Sequence, residues 1–251
     1  MKVLGIIAAR RGSKGVPSKN TMTLIDKAVI EYTIKDALAA KRIDKIVVTS
    51  DDPKVKQICE NYRDKLIYID RPAELASDEA RIDDVMRHAC RELESQENYI
   101  PDYVVLLYAN VPVRAEGVID QAINHLIEKG GDSLQTLETS RKYHPYWQYE
   151  MREGNDKIKK FINEPQARVY LRQALPPAYI IDGAVGVVRY EVLFNSADNQ
   201  DDPHAFWGKD RRGLKQEPGS TIDIDEAVDL LVAENVIRNN RILSQQNRSR
   251  E

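Results

Sequence analysis

Cysteine is scarce in this chain. Only Cys59 and Cys90 occur in 251 residues, each in a helix-like segment without metal-ligand spacing. A disulfide framework and a thiolate metal site are therefore not expected, and the pair reads as reduced thiols in a cytoplasmic protein. No apolar run approaches the ~20 residues of a membrane span. The opening run Met1-Lys2-Val3-Leu4-Gly5-Ile6-Ile7 reads as a strand without a small-residue cleavage site, so no secretory leader is expected. There is no surplus of positive charge either: the net charge is −3, which argues against general nucleic-acid binding. What remains is a chain with 42% apolar and 31% charged residues, the composition of a folded protein rather than a disordered one.

The length fits one domain over residues 1–251, with a core large enough to fold without metal or disulfide. Charge is unevenly placed. Residues 1–25 hold Lys2, Arg10, Arg11, Lys14 and Lys19 and no acid, whereas 219–234 hold Asp223, Asp225, Glu226, Asp229 and Glu234 and no cation. One end is suited to an anion. The other is suited to a cation, or is an acidic helix start.

Short apolar runs alternate with helical stretches. Strands are expected near 3–9, 45–50, 66–69, 103–107, 133–139, 184–189 and 221–223, and helices near 28–40, 53–62, 81–97, 115–129 and 225–239. This alternation predicts an α/β fold with a doubly wound, mainly parallel sheet. Ile46-Val47-Val48 and Val104-Val105-Leu106-Leu107 are apolar on both faces, as central strands require. Asp52 before Pro53 predicts a capped helix start. Asp225 is expected to cap the last helix, whose stripe Val228, Leu231, Val232 and Val236 is expected to face the core. Residues 141–180 break the rhythm and carry seven of the seventeen aromatics. They read as an insertion, either an interface or a lid.

Five motifs carry the chemistry. Arg10-Arg11-Gly12-Ser13-Lys14-Gly15-Val16-Pro17-Ser18-Lys19-Asn20 follows the first strand. Ligands of parallel sheets bind beyond the strands' carboxyl ends, and glycines there expose N–H groups to phosphate. The glycine and lysine spacing differs from a Walker loop. A plain basic loop with two turn glycines is the alternative. In Ile222-Asp223-Ile224-Asp225, residues i and i+2 share a face, so two carboxylates meet and would be relieved by a divalent ion with oxygen ligands such as Mg²⁺. The alternative is two locally satisfied aspartates. Arg71-Pro72-Ala73-Glu74-Leu75-Ala76-Ser77-Asp78 offers Arg71 to an anion, with Ser77 or Asp78 as a cap, though a turn and a cap explain it equally. Tyr108-Ala109-Asn110-Val111-Pro112-Val113-Arg114 places Arg114 where a ligand could lie. Asp182-Gly183 is by itself an ordinary turn.

Together, in this order, these motifs resemble the cytidylyltransferases that activate acidic sugars, above all the CMP-sialic acid synthetase (acylneuraminate cytidylyltransferase) family and more distantly CMP-ketodeoxyoctonate synthetase. The likeness spans roughly 3–237 and rests on R-x-G-S-K-G-x-P-x-K-N, R-P-x-x-L-A-S-D and I-D-I-D followed by Asp229, Leu230, Ala233 and Glu234. It implies a Rossmann-like nucleotidyltransferase fold. It implies CTP bound by Arg10, Gly12, Ser13, Lys14, Asn20, Arg71 and Ser77, with Lys14, Lys19 and Arg10 as catalytic cations. Mg²⁺ is implied on Asp223 and Asp225. The stretch 141–180 matches the family's dimerisation excursion, which reaches into the partner's sugar site, so a homodimer is implied.

Departures fall on the sugar side, where Tyr108, Arg114, Arg172 and Asp182 are the implied contacts. The family's L-L-Q-P-T-S-P-L-R has become Leu106-Leu107-Tyr108-Ala109-Asn110-Val111-Pro112-Val113-Arg114. Its R-x-N-G-A-I-Y has become Ile180-Ile181-Asp182-Gly183-Ala184-Val185-Gly186. A basic residue, an asparagine and a tyrosine have become Ile180, Asp182 and Gly186. The implied activity is CMP transfer from CTP to the anomeric hydroxyl of sialic acid or a related nonulosonic acid, releasing pyrophosphate. Rival readings are a glycosyltransferase using Asp223-Ile224-Asp225 as an Asp-x-Asp motif, a non-catalytic nucleotide-binding relative, and a sugar-1-phosphate nucleotidyltransferase.

Overall fold

Alternate residues of the first strand, β1 (Val3–Ala8), pack in opposite directions, and the layers of the fold follow from that. The computed structural model describes residues 1–12, 15–197, 199 and 201–248, the last eight as backbone only. After β1 come a small ladder of β2 (Thr23–Leu24) and β3 (Lys27–Ala28), then α1 (Val29–Ala39), β4 (Lys45–Ser50), α2 (Pro53–Glu60), β5 (Ile67–Asp70), α3 (Ile82–Glu97), β6 (Tyr103–Tyr108), α4 (Val118–Lys129) and β7 (Ser133–Thr139). The second half adds a hairpin of β8 (Tyr149–Met151) and β9 (Ile158–Lys160), then β10 (Tyr179–Arg189), α5 (Tyr190–Asn195), β11 (Arg211–Lys215) and α6 (Ala227–Arg248).

Seven strands form one sheet in the order β11-β7-β10-β6-β1-β4-β5, and only β10 runs antiparallel to its neighbours. Val3 and Ile7 face a core layer completed by Ile30 and Ile34 of α1, Val55 of α2 and Ile123 of α4. Leu4 and Ile6 face the other layer, with Met86, Ala89 and Leu93 of α3, Leu193 of α5, and Phe206 and Trp207. Helices on both faces bury the sheet, so the doubly wound, mainly parallel expectation holds. Asp52 caps α2 as expected, accepting from Lys54 N at 2.9 Å with Pro53 in the first turn. Both cysteines are buried, and burial pushes each thiol up to about 12, leaving them inert.

Four expectations are corrected. Residues 221–223 make only an isolated bridge, Val113 with Ile222, and the seventh strand is β11. Asp225 does not cap α6. Instead the Asp229 carboxylate accepts from the backbone N–H groups of Asp225 and Glu226 at 2.9 and 2.7 Å. In the apolar stripe of α6, Val228, Leu231 and Val232 are exposed; Leu230, Ala233, Val236 and Ile237 pack inward with Val16, Val29 and Ile224. The strand expected at 184–189 begins at Tyr179, inside the 141–180 stretch. The rest of that stretch is short turns around the β8–β9 hairpin, with Tyr143, Tyr149, Phe161 and Tyr170 exposed.

Candidate active site

A cleft of about 550 Å³ opens over the carboxyl ends of β1, β5 and β6. All five motifs contribute to it, the fourth without Arg114: Arg10, Lys19, Asn20, Arg71, Ser77, Tyr108, Asp182, Asp223 and Asp225 all line it. Ser13 and Lys14 lie outside the described residues. Gly12 is exposed in the same loop and does not line the cleft.

Each chain segment is held for a physical reason. The Asn20 amide donates to the Arg10 carbonyl at 3.1 Å and closes the basic loop on itself. Arg10 Nη1 donates to the Ser77 carbonyl at 3.2 Å and Asp78 Oδ1 at 2.6 Å, tying the first motif to the third. Arg71 is 8% exposed and donates through Nη2 to the Thr49 carbonyl at 2.8 Å, while its buried Nε has no partner among the described residues. Burial lowers its guanidinium to about 10. A buried, under-bonded guanidinium in a cleft wall is set up to meet an anion.

The acidic motif is not a regular strand, yet its alternation does the work of one. Ile224 is fully buried and Ile222 packs beside it, which turns Asp223 and Asp225 to the cleft. Ile222 N donates to the Val113 carbonyl and Ile224 N to the Asn110 carbonyl, at 3.1 and 2.8 Å. Lys19 Nζ reaches Asp225 Oδ1 at 2.7 Å, and Asn110 Nδ2 approaches the same oxygen at 3.3 Å. A Cβ on Gly15 would stand 2.1 Å from the Asp225 carbonyl oxygen, so only glycine lets the basic loop lie against the acidic one. Desolvation, then the neighbouring Asp225 charge, raises the Asp223 carboxyl above the ordinary carboxylate range. Among the described residues no cluster of three or more His, Cys, Asp or Glu forms a metal site; the candidate set is these two carboxylates.

The far end of the cleft, over β6, β10 and β7, has a different character. Tyr108, Glu138, Ile180, Ile181, Asp182, Gly183 and Thr221 line it, with no cation among these described residues. Asp182 sits in a β10 irregularity where Gly183 has φ +74°. Its carboxylate accepts from Thr136 Oγ1 at 2.5 Å, Ala184 N at 3.0 Å and Thr221 Oγ1 at 3.2 Å, so it is a brace as well as a wall. Burial raises the Tyr108 phenol.

Arg114 is a correction. Its side chain is 1% exposed and does not line the cleft. It donates to the Ala184, Val111 and Tyr108 carbonyls at 2.9, 2.6 and 2.9 Å and to Thr33 Oγ1 at 2.9 Å, and pairs with Asp36 at 3.4 Å. Its donors are spent on holding the loop after β6, not on a ligand. Arg172 is also away from its own chain's cleft, in a shallow pocket with Arg141, His144 and Pro176.

The model of the family described as cytidylyltransferase matches residues 4–185. The chain belongs to the cytidylyltransferase family. It is similar to the post-translational flagellin modification protein B of Campylobacter coli, 26% identical over 94% of this chain and 95% of that one. It is 36% identical to a pseudaminic acid cytidylyltransferase of Campylobacter jejuni over 51% of this chain, spanning 54% of that relative's length. A solved CMP:2-keto-3-deoxy-manno-octonic acid synthetase complexed with CTP superposes with a TM-score of 0.68 at 16% identity, covering 96% of this chain and all of that one, and shows the shared fold.

Several residues of this cytidylyltransferase's cleft were not offered to a ligand from sequence, Asp78 having been named only as a helix cap. Asp78, Asn110, Glu138 and Thr221 all line it. Asp78 and Asn110 stood inside recognised motifs. Glu138 at the end of β7 left no signal, because one acid at a strand end is unremarkable until topology brings it to the cleft.

Proposed function

We propose that this cytidylyltransferase transfers CMP from CTP to the anomeric hydroxyl of an acidic nonulosonic sugar and releases pyrophosphate. The observation that carries the reading is one cleft holding Arg10, Lys19 and the under-bonded Arg71 at one end, and Asp223 with Asp225 beside them. That is a triphosphate cradle next to a paired-carboxylate position.

The acceptor oxygen bonds to the α-phosphorus, the bond to the bridging oxygen breaks, pyrophosphate leaves with that electron pair, and the hydroxyl proton is lost. Lys19 and Arg71 lie where triphosphate oxygens would be neutralised, with Ser13 and Lys14 assigned the same task by their motif. Asp223 and Asp225 fit Mg²⁺: both are hard oxygen donors lining the same cleft, and Asp223, raised first by burial and then by the Asp225 charge, has a second carboxylate beside it. When bound, the ion supplies charge neutralisation at phosphate oxygens. Tyr108, Ile180 and Asp182 shape the acceptor end.

Among the described residues that end holds no cation for a sugar carboxylate, while Arg172 sits on an exposed aromatic excursion outside its own cleft. This supports a homodimer in which the excursion carries Arg172 toward the partner's acceptor end. The two buried free thiols suit a reducing, cytoplasmic setting.

The test is pyrophosphate release with Mg²⁺, each of the four nucleoside triphosphates and a panel of acidic sugars. Release with CTP and one nonulosonic acid, lost in Asp223→Asn and Asp225→Asn, is expected. Normal turnover by both variants would remove the metal assignment, and no release with any pairing would remove the transfer reaction.

A further inference from the structure

The acidic loop meets the basic loop in the cleft at two points. Gly15 lies against the Asp225 carbonyl, and Lys19 Nζ lies 2.7 Å from Asp225 Oδ1. Lys19 is mostly buried, at 18% exposure, so its charge is held in place rather than waving in solvent. Asn110 Nδ2 donates to the Ile224 carbonyl at 3.1 Å and approaches the same Asp225 oxygen at 3.3 Å. One carboxylate oxygen thus carries two donors, one charged. A divalent ion and an ammonium cannot share that oxygen at contact distance without strong repulsion.

We propose that Lys19 is the resident counter-ion of Asp225 in the nucleotide-free protein, with Asn110 as the positioning residue that fixes the carboxylate, so that a divalent ion gains this oxygen only when Lys19 leaves it for the phosphates. The inference rests on the proposed reading of the cleft as a nucleotide site. The chemistry is a charge exchange. Without nucleotide the acidic pair is partly neutralised by Lys19. A polyphosphate offers Lys19 a more highly charged partner, and the freed oxygen then faces the cation that accompanies the nucleotide. Asn110 keeps Asp225 aimed at the cleft during the exchange, because its second bond anchors it to the Ile224 carbonyl.

The test is binding of Mn²⁺ alone, with no nucleotide and no sugar, read from the loss of the free-ion electron paramagnetic resonance signal. Lys19→Met and Lys19→Gln are each expected to bind Mn²⁺ about fivefold more tightly than the unaltered protein, the factor for losing one partly exposed ion pair. Arg10→Met removes an equal charge from the same cleft but one paired to Asp78, and is expected to change Mn²⁺ affinity less than twofold. Adding Asp225→Asn to Lys19→Met should erase the gain. Adding Asn110→Ala should erase part of it, while Lys19→Met stays folded by circular dichroism. Equal gains in the Lys19 and Arg10 variants, or a gain that survives Asp225→Asn, would overturn the proposal. Separate calorimetry with CTP distinguishes the two levels: absence of CTP binding would remove the nucleotide reading, whatever the Mn²⁺ data say of the ion pair.

Discussion

Arg71 and Arg114 are both buried arginines that the motifs offered to a ligand, and replacing each by methionine should have opposite consequences. Arg114→Met removes donors from the Tyr108, Val111 and Ala184 carbonyls and from Thr33, and leaves Asp36 without its partner. Breaking such a network from one side costs about 3–5 kcal/mol, because the remaining groups stay desolvated. With a urea slope of roughly 3 kcal/mol/M, the midpoint should fall by about 1–1.7 M. Arg71→Met removes one bond to the Thr49 carbonyl and relieves the burial that lowers the guanidinium to about 10. Its stability should change by less than about 1 kcal/mol. Its affinity for CTP should fall about tenfold or more, the loss of one charge-assisted contact of ~1.5–3 kcal/mol. Urea unfolding and calorimetric CTP titration of both variants make the comparison. If Arg114→Met unfolded at the unaltered midpoint while raising the KM for the sugar, the reading of Arg114 as a brace would be refuted.

Other outcomes follow from the same geometry. Asp223→Asn should raise the thermal midpoint of metal-free protein at neutral pH. A folded-state pKa above the unfolded one favours the native state at low pH, and that advantage is lost as pH rises through the raised value. The gap between variant and unaltered protein should therefore close on acidification below the ordinary carboxylate range. Gly15→Ala should separate the two loops, since its Cβ would sit 2.1 Å from a backbone oxygen, and should weaken CTP binding more than it lowers stability. Asp52→Ala, which removes the α2 cap, should cost about 1 kcal/mol in urea unfolding and leave CTP binding unchanged.

The central sheet was legible because its strands are apolar on both faces, and α2 because Asp52-Pro53 marks its start. Ile46-Val47-Val48 and Val104-Val105-Leu106-Leu107 can hardly be anything but central strands. The edge strand β11, Arg211-Arg212-Gly213-Leu214-Lys215, was not legible, because an edge needs charge rather than apolar alternation and reads as a loop. The stripe on α6 misled for a related reason. Period 3.6 identifies a helix face, but both Leu230-Ala233-Ile237 and Val228-Leu231-Val232 fit a period, and only packing against Val16 and Ile224 decides between them. In the cleft, motif position after a strand was enough to place Arg10, Lys19 and Arg71, and the i, i+2 alternation of Ile222-Asp223-Ile224-Asp225 was enough to put the two aspartates on one side although no regular strand forms there. It could not tell Arg114 from a ligand-binding arginine, since that depends on which carbonyls its donors find. Gly186 shows a third limit. A Cβ there would stand 2.4 Å from the Trp207 ring, so glycine follows from a tryptophan 21 positions along the chain that no local pattern connects to it.

The most direct measurement is phosphorus NMR of the unaltered protein with Mg²⁺, CTP and the nonulosonic acid that supports pyrophosphate release. The account predicts that the CTP α-phosphorus resonance converts to that of a CMP sugar ester while pyrophosphate appears in equal amount. Production of a nucleoside diphosphate, or CTP that stays bound and unchanged beside the sugar, would contradict it.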